Sequence, residues 1–465
     1  MGALAGLLIQ AGHRVTGSDT AFYPPMSEAL ARWGVETMPG WDAGNLVPSP
    51  DLVVVGNVCR RDNPEARAAI DGGLRHASFP QTVEEMFLDG RRPLVIAGTH
   101  GKTTTTALLA FLLLRAGADP GFLVGGVPVD FRESYRLGAP GAPFVIEGDE
   151  YDSAFFEKRP KMWRYRPWGA TLTSIEHDHI DIYPDMERYR QAFEGFVDLI
   201  PEDGVLVAFA GDPEVRRVAK RARCRLRYYA LTTDDCGDVE PEWCAAPVAV
   251  TAGAQPFDLF VGGSALGRVY SPLSGEHNMR NAVATIALGS EGAGVEVPQL
   301  VRALRGFRGV RRRQELLGVD GGVHVYDDFA HHPTAVTETL RALRARHPRG
   351  SLIAIFEPRS ATASRRLHQE HYPRAFAHAD LTLLAPVGRP EIPEMERLSV
   401  VEIAEATSRR GSRAEAPESI AAIVDRVAEV AQAGDTVVIM SNGAFGGIHG
   451  AIRTRLAERG NRRDG

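Results

Sequence analysis

With 465 residues the chain is too long for one hydrophobic core, so two or three domains are expected. Apolar residues at 44% and charged residues at 24% describe an ordinary globular protein, and a net charge of −6 argues against a nucleic-acid partner. The longest apolar runs, such as ALLAFLLL, are under half a membrane span, and four cysteines (59, 224, 236, 244) without a C-x-x-C pair suit a reducing cytoplasm and argue against a disulfide framework or a zinc site.

The first segment, residues 1–92, reads as helix ALAGLLIQAG, strand HRVTGSD, helix MSEALARWG and strand DLVVVGN. This alternation is that of a Rossmann-like parallel sheet. Such a domain normally opens with a strand and a glycine turn before its first helix. Met1 and Gly2 already stand at that helix, so the sheet is expected to lack its first strand.

The second segment, 93–310, opens with strand PLVIAG, the sequence GTHGKTTTT and a helix apolar nearly all round, which must be buried. Strands PFVIEGDE and GATLTSIEHDH follow. From about 204 to 274, short strands with Gly and Pro turns are expected to form an antiparallel edge, before helix GEHNMRNAVATIAL. The third segment, 311–465, alternates again through strand VHVYDD, helix TAVTETLRALRAR, strands SLIAIFEP and LTLLAPV, helix SIAAIVDRVAEVAQAG and strand DTVVIMSNG. It reads as a second open α/β sheet, with ligands expected at the carboxyl ends of its strands.

Chemistry concentrates at those ends. Gly98, Thr99, His100, Gly101, Lys102, Thr103 and Thr104 form a shortened phosphate loop, G-x-x-G-K-T-T, between a strand and a helix. Glycines let the backbone approach an anion, the helix aims free N–H groups at it, and Lys102 adds a charge. Thr103 supplies a hydroxyl suited to Mg2+. VIEGDEYD places Glu147 at a strand end one strand away, where a carboxylate can take magnesium. SIEHDHIDIY offers His177 and His179, one of which could bind a second metal. In GEHNMRNA, Asn278 and Asn281 lie one turn apart and face one partner. Arg313 in GVRRRQE can meet a phosphate when the domains close. VYDDFAHHPT sets Asp327 and His332 at another strand terminus.

Taken in order, GTHGKTTTT, E-x-D-E, DH-x-D-x-Y, GEHN-x-x-N-A, R-R-x-E and YDDFAHHPT resemble the Mur ligases, ATP-dependent amide-forming enzymes of peptidoglycan synthesis. The resemblance spans the chain and explains the short loop, which is the family's own form. It implies an α/β protein of three domains: a UDP-sugar domain, a central P-loop ATPase-like domain with extra antiparallel strands, and a Rossmann-like domain that closes and binds the amine. Carried over by motif, Lys102 and Thr103 grip the β/γ-phosphates and Mg2+, and Glu147 and His179 hold metal. Asn281 meets adenine, Arg313 and Asp327 complete the nucleotide contacts, and Asn442 and His332 line the amine site. Ser18 and Asp19 fall in the UDP-sugar domain. Ser174 stands where asparagine is common before the D-H pair.

Stretches SDTAFYPPMS, LVGGVPVDF, EGDEYDSAFFEKRPK, FEPRSATA and VVIMSNGAFGGIHG resemble the branch that joins UDP-N-acetylmuramate to a recycled murein tripeptide, L-alanyl-γ-D-glutamyl-meso-diaminopimelate. The implied reaction runs through an acyl phosphate. The alternatives are the branch that adds L-alanine and a non-ligase P-loop ATPase. The implied setting is a cytoplasmic monomer or weak homodimer that needs ATP and Mg2+ and contacts neither nucleic acid nor membrane.

Overall fold

Apolar runs broken by glycine and proline alternate between helix and strand, and they assemble into three α/β units joined through their faces. The computed structural model describes residues 1–23, 26–249, 254–389 and 391–463. The first unit contains α1 (Gly2–Gln10), β1 (Thr16–Asp19), α2 (Met26–Arg32), β2 (Glu36–Pro39), β3 (Val53–Val55), α3 (Pro64–Asp71), β4 (His76–Ser78) and α4 (Phe79–Val83). Here β1 pairs with β2 and β3 with β4, both in parallel. The single sheet expected from the sequence is therefore two separate pairs, because among the described residues no strand carries the ladder from one to the other. Helix α1 lies flush on the central unit. Leu4, Leu7 and Leu8 join its core, and a Cβ on Gly6 would stand 2.2 Å from the Tyr135 ring.

The central unit comprises β5 (Pro93–Ala97), α5 (Lys102–Arg115), β6 (Gly121–Leu123), β7 (Tyr135–Arg136), β8 (Phe144–Gly148), β9 (Gly169–Leu172), α6 (Met186–Val197), β10 (Val205–Phe209), α7 (Pro213–Ala219), β11 (Arg225–Leu231), β12 (Trp243–Pro247), β13 (Gln255–Val261), β14 (Ser264–Ser271), α8 (Glu276–Glu291) and α9 (Val297–Leu304). Its ten strands run in the order β14-β13-β12-β11-β10-β9-β5-β8-β6-β7. The antiparallel edge expected over 204–274 is only partly there. β10, β11 and β12 extend the parallel sheet, and antiparallel pairing begins with β13. The reason is α7, which starts at Pro213 under an Asp212 cap and returns the chain so that β11 runs beside β10 in the same direction. Every residue of α5 from Thr103 to Leu113 is buried, between the sheet and helices α8 and α9.

The third unit holds β15 (Glu315–Asp320), β16 (Val323–Asp328), α10 (Pro333–Arg346), β17 (Leu352–Phe356), α11 (Tyr372–Ala375), β18 (Leu381–Leu384), α12 (Val400–Arg409), β19 (Arg413–Glu415), α13 (Ile420–Val430), β20 (Thr436–Met440) and α14 (Ile448–Arg463). The strand order is β15-β16-β20-β17-β18-β19, parallel except for the β15 hairpin. Separate apolar clusters cover its two faces, the mark of a doubly wound sheet. The carboxyl ends of β5, β8 and β9 thus face those of β16 and β20 across the junction of the two units.

Because α5 is sealed on all sides, Leu109→Ala leaves a cavity that the structure cannot close. It is expected to cost the central unit about 2–5 kcal/mol. Amide hydrogen exchange should show lost protection in α5 and β5, with that of β16 and β20 unchanged.

Candidate active site

The loop between β5 and α5 is shaped by two glycines. Gly98 has φ +133° and Gly101 φ +81°, and a Cβ on them would lie 2.1 Å from Thr173 Oγ1 and 2.8 Å from Asn281 Oδ1 respectively. No other residue fits either place. The segment after β9 holds the loop from below. Thr99 N–H donates to the Ser174 carbonyl (2.9 Å), His100 N–H to Ser174 Oγ (3.0 Å) and Thr99 Oγ1 to the Glu176 carbonyl (3.0 Å). Ser174, the departure from the usual asparagine, therefore fixes the loop through its hydroxyl. Asn281 stands behind Gly101, buried, with its amide donating to Asn278 Oδ1 at 3.2 Å, and Asn278 in turn donates to the Ser274 carbonyl at 2.8 Å.

Charge at the loop is tightly paired. Lys102 Nζ lies 2.9 Å from Glu150 Oε2 and 2.7 Å from the Gly98 carbonyl. Glu150 is buried, and burial alone would push its carboxyl up, yet Lys102 and His179 hold it down at about 2. His179 Nε2 is 3.2 Å from Glu150 Oε1, and its backbone is left-handed at φ +51°. Against the opposing pull of burial, Glu150 raises the imidazole above its ordinary value. Glu147 behaves in the opposite way: burial and the charge of Asp149 push its carboxyl up to about 7. It accepts hydrogen bonds from Thr103 Oγ1 (3.0 Å) and from the Gly125 N–H. Ionising it there is costly, and a divalent cation would remove that cost. Glu147 and Thr103 offer the hard oxygen donors that Mg2+ takes, so the residues fit the ion. Thr104, next in α5, is buried behind them.

The third unit reaches into this site. Arg313, half-buried beneath Phe329 with 4.6 Å to the ring centroid, extends Nη2 to 3.3 Å from Thr103 Oγ1. Desolvation lowers its pKa from the ordinary value. Neighbouring Arg312 turns the other way, donating to the carbonyls of Ser441 (2.7 Å) and Gly443 (2.8 Å) and lying 3.3 Å from Asp327. Asn442 sits between those carbonyls with a buried Oδ1 that has no hydrogen-bond partner. Asp327 also stands 3.1 Å from His449 Nε2. His332 caps α10 by accepting the Thr334 N–H at 3.4 Å, and its Nδ1 is 3.5 Å from Glu176 Oε2. Burial and the charge of His100 push it well below its ordinary value.

The structure thus gathers Lys102, Thr103, Glu147, His179, Asn281, Arg313, His100 and His332 around one loop, with Asp327 and Asn442 beside Arg312. It does not bring Ser18 and Asp19 there. Ser18 Oγ donates to Glu65 (2.8 Å), which also receives the Asn45 amide (3.0 Å), and Asp19 caps the Thr20 N–H. The roles of Glu150, Ser174, Glu176 and Arg312 were not read from the sequence. Glu150 was visible in the acidic run, but which of its carboxylates meets Lys102 depends on the path of the chain after β8.

Three family profiles match in chain order: the "Mur ligase family, catalytic domain" over residues 1–90, the "Mur ligase middle domain" over 96–289 and the "Mur ligase, glutamate ligase domain" over 312–443. The chain is 38% identical over 461 residues to the UDP-N-acetylmuramate–L-alanyl-γ-D-glutamyl-meso-2,6-diaminoheptandioate ligase of Escherichia coli K12, covering 99% of this chain and 96% of that one. The chain belongs to the Mur ligase family. As a Mur ligase it is an ATP-dependent enzyme that forms an amide bond. A murein peptide ligase from Psychrobacter arcticus superposes with a TM-score of 0.72 at 37% identity, over 98% of this chain and 96% of that one. A UDP-N-acetylmuramate–L-alanine ligase of Roseiflexus sp. RS-1 is 35% identical over 83% of this Mur ligase and 82% of its own length. Among the described residues no helix is long and apolar enough to cross a membrane.

The Glu147 carboxyl makes the site pH-dependent. Between its ordinary value of 4.5 and about 7 the native chain holds a proton that the unfolded chain has released. Stability of the ligand-free chain is therefore expected to fall as pH rises through that window. Mg2+ affinity should move the opposite way, rising through pH 7 because the ion must displace that proton. Glu147→Gln should flatten both trends, checked by thermal unfolding and Mg2+ titration at stepped pH.

Proposed function

We propose that this Mur ligase joins the lactyl carboxylate of UDP-N-acetylmuramate to the amino group of L-alanyl-γ-D-glutamyl-meso-diaminopimelate, with ATP converted to ADP and phosphate. The observation that carries the choice of amine is the likeness to the E. coli tripeptide ligase along 99% of the chain. The identity there is 38%, against 35% for the L-alanine ligase of Roseiflexus and 34% for that of Kineococcus radiotolerans, which is also matched along 99% of the chain. The boundaries proposed for the three domains are 1–92, 93–310 and 311–465. Ser18 and Asp19 belong to the first and are assigned to the UDP-sugar. The setting proposed is the cytoplasm, and the form a monomer or weak homodimer.

A carboxylate is ionised at pH 7 and is a poor acyl donor. Transfer of the terminal phosphoryl group makes a P–O bond to the carboxylate oxygen and breaks the bond to ADP. The neutral amine then attacks the carbonyl carbon, the C–O bond to phosphate breaks, and the amine gives up one proton. Lys102 and the amides at the start of α5 bind the phosphates. A charge pair at about 4 Å is worth roughly 4 kcal/mol at an effective dielectric of 20. Thr103, Glu147 and His179 would hold the metal, whose charge when bound offsets that of the phosphoryl oxygens. Arg313 adds a guanidinium from the closing domain, and Asn281 and Asp327 are assigned to the nucleotide. Asn442 and His332 are assigned to the amine. An amine of pKa about 8 is one-tenth neutral at pH 7, a cost of about 1.4 kcal/mol. Positioning contributes up to about 7–11 kcal/mol, so holding the two reactants in register outweighs removing the proton.

ATP consumption with UDP-N-acetylmuramate is expected to be faster with the tripeptide than with L-alanine, and the reverse ranking would transfer the chain to the L-alanine branch. Oxygen-18 placed in the lactyl carboxylate should appear in released phosphate. Lys102→Met should lower kcat by about 10²–10³-fold with the fold intact by circular dichroism. His332→Ala should keep measurable turnover at pH 9, and its complete loss there would rank proton removal above positioning.

A further inference from the structure

Beside the phosphate loop, three donors from two domains converge on one point. His100 Nε2 lies 3.6 Å and His332 Nδ1 3.5 Å from the same oxygen, Oε2 of Glu176. All three donor atoms fall within 4.8 Å of one another, and the two imidazole centroids are 4.7 Å apart. Bonds of about 2.0–2.1 Å in a tetrahedral zinc site put neighbouring donor atoms about 3.3–3.4 Å apart, so the carboxylate oxygen already stands at nearly the required distance from each nitrogen. His100 Nε2 is buried without a hydrogen-bond partner. Such an atom carries an uncompensated desolvation cost that a metal bond would remove. Thr334 Oγ1 donates to Glu176 Oε2 at 2.5 Å and orients it, as outer partners of metal-bound carboxylates do. The long Thr334 N–H contact to His332 Nδ1, at 3.4 Å, is what an ion would displace.

We propose that His100, Glu176 and His332 form a binding site for one imidazole-preferring divalent transition-metal ion of the Zn2+ class. Two nitrogens and one carboxylate leave a fourth position open to water or a substrate group. Mg2+ disfavours such a set, since it takes oxygen donors. The site shares no residue with the Thr103–Glu147 pair. The four cysteines contribute nothing to it, which is why their spacing did not point to zinc. His100 and Glu176 belong to the central unit and His332 opens α10 of the third, so a bound ion ties the two units together at the mouth of the phosphate loop. The inference rests on this geometry and not on the identity of the amine substrate.

The test uses the full chain, stripped with chelator and titrated with Co2+ in excess Mg2+. One equivalent should bind, with the intense visible absorption of a four- or five-coordinate centre, and Zn2+ should displace it. Glu176→Gln and His332→Ala should each weaken binding by about 10–100-fold or more, while Glu147→Gln should leave it unchanged. No stoichiometric Co2+ in wild type, equal binding in the variants, or loss with Glu147→Gln alone would overturn the proposal. Should a variant fail to fold, Zn2+ should protect wild-type His100 and His332 from diethyl pyrocarbonate, read by mass spectrometry, and absence of protection would equally overturn it.

Discussion

The site is organised around one largely buried ion pair, Lys102 with Glu150. An ammonium taken out of water needs a compensating charge and hydrogen bonds. Here it has the carboxylate at 2.9 Å and two loop carbonyls, Gly98 at 2.7 Å and Thr99 at 3.4 Å. Glu150 is held in turn by His179 and by the Tyr189 hydroxyl at 3.3 Å, while Tyr183 donates to its main-chain carbonyl. The pair therefore locks the turn after β8 and the segments after β9 to the start of α5. On the proposed reading, an entering polyphosphate competes with Glu150 for the ammonium.

The junction with the third unit depends on two adjacent arginines that point in opposite directions. Arg313 goes to the phosphate loop and Arg312 to the carbonyls after β20, so two consecutive residues couple two sheets. That arrangement requires an unusual backbone. Arg312 and Gln314 are left-handed at φ +60° and +49°, conformations that cost a non-glycine residue energy and persist only under external constraint. Asp328 supplies part of the constraint, accepting the Gln314 N–H at 2.7 Å and the Ala330 N–H at 2.7 Å. The bend that aims the arginines is thus stabilised by the strand end that carries Asp327.

Much of this was legible from local chemistry. Gly98 and Gly101 announce a loop that admits an anion, the apolar circumference of α5 announces burial, and acids at the end of β8 announce a cation. The parallel third sheet follows from apolar runs alternating with amphipathic helices. The reading failed where direction depends on a short connection: α7 is only seven residues long, yet it returns β11 parallel to β10. It failed again in the first unit, where sequence alternation implies one sheet but pairing needs strands to be neighbours in space.

The sequence by itself determined the family, the phosphate loop and the residue types at each strand end, because these rest on spacing within a few residues. Only the tertiary structure decided which partners those residues meet. Lys102 to Glu150 spans 48 positions, Thr103 to Arg313 spans 210, and Glu176 to Thr334 spans 158. No local periodicity encodes such pairings. They arise when two separately wound sheets bring their carboxyl edges face to face.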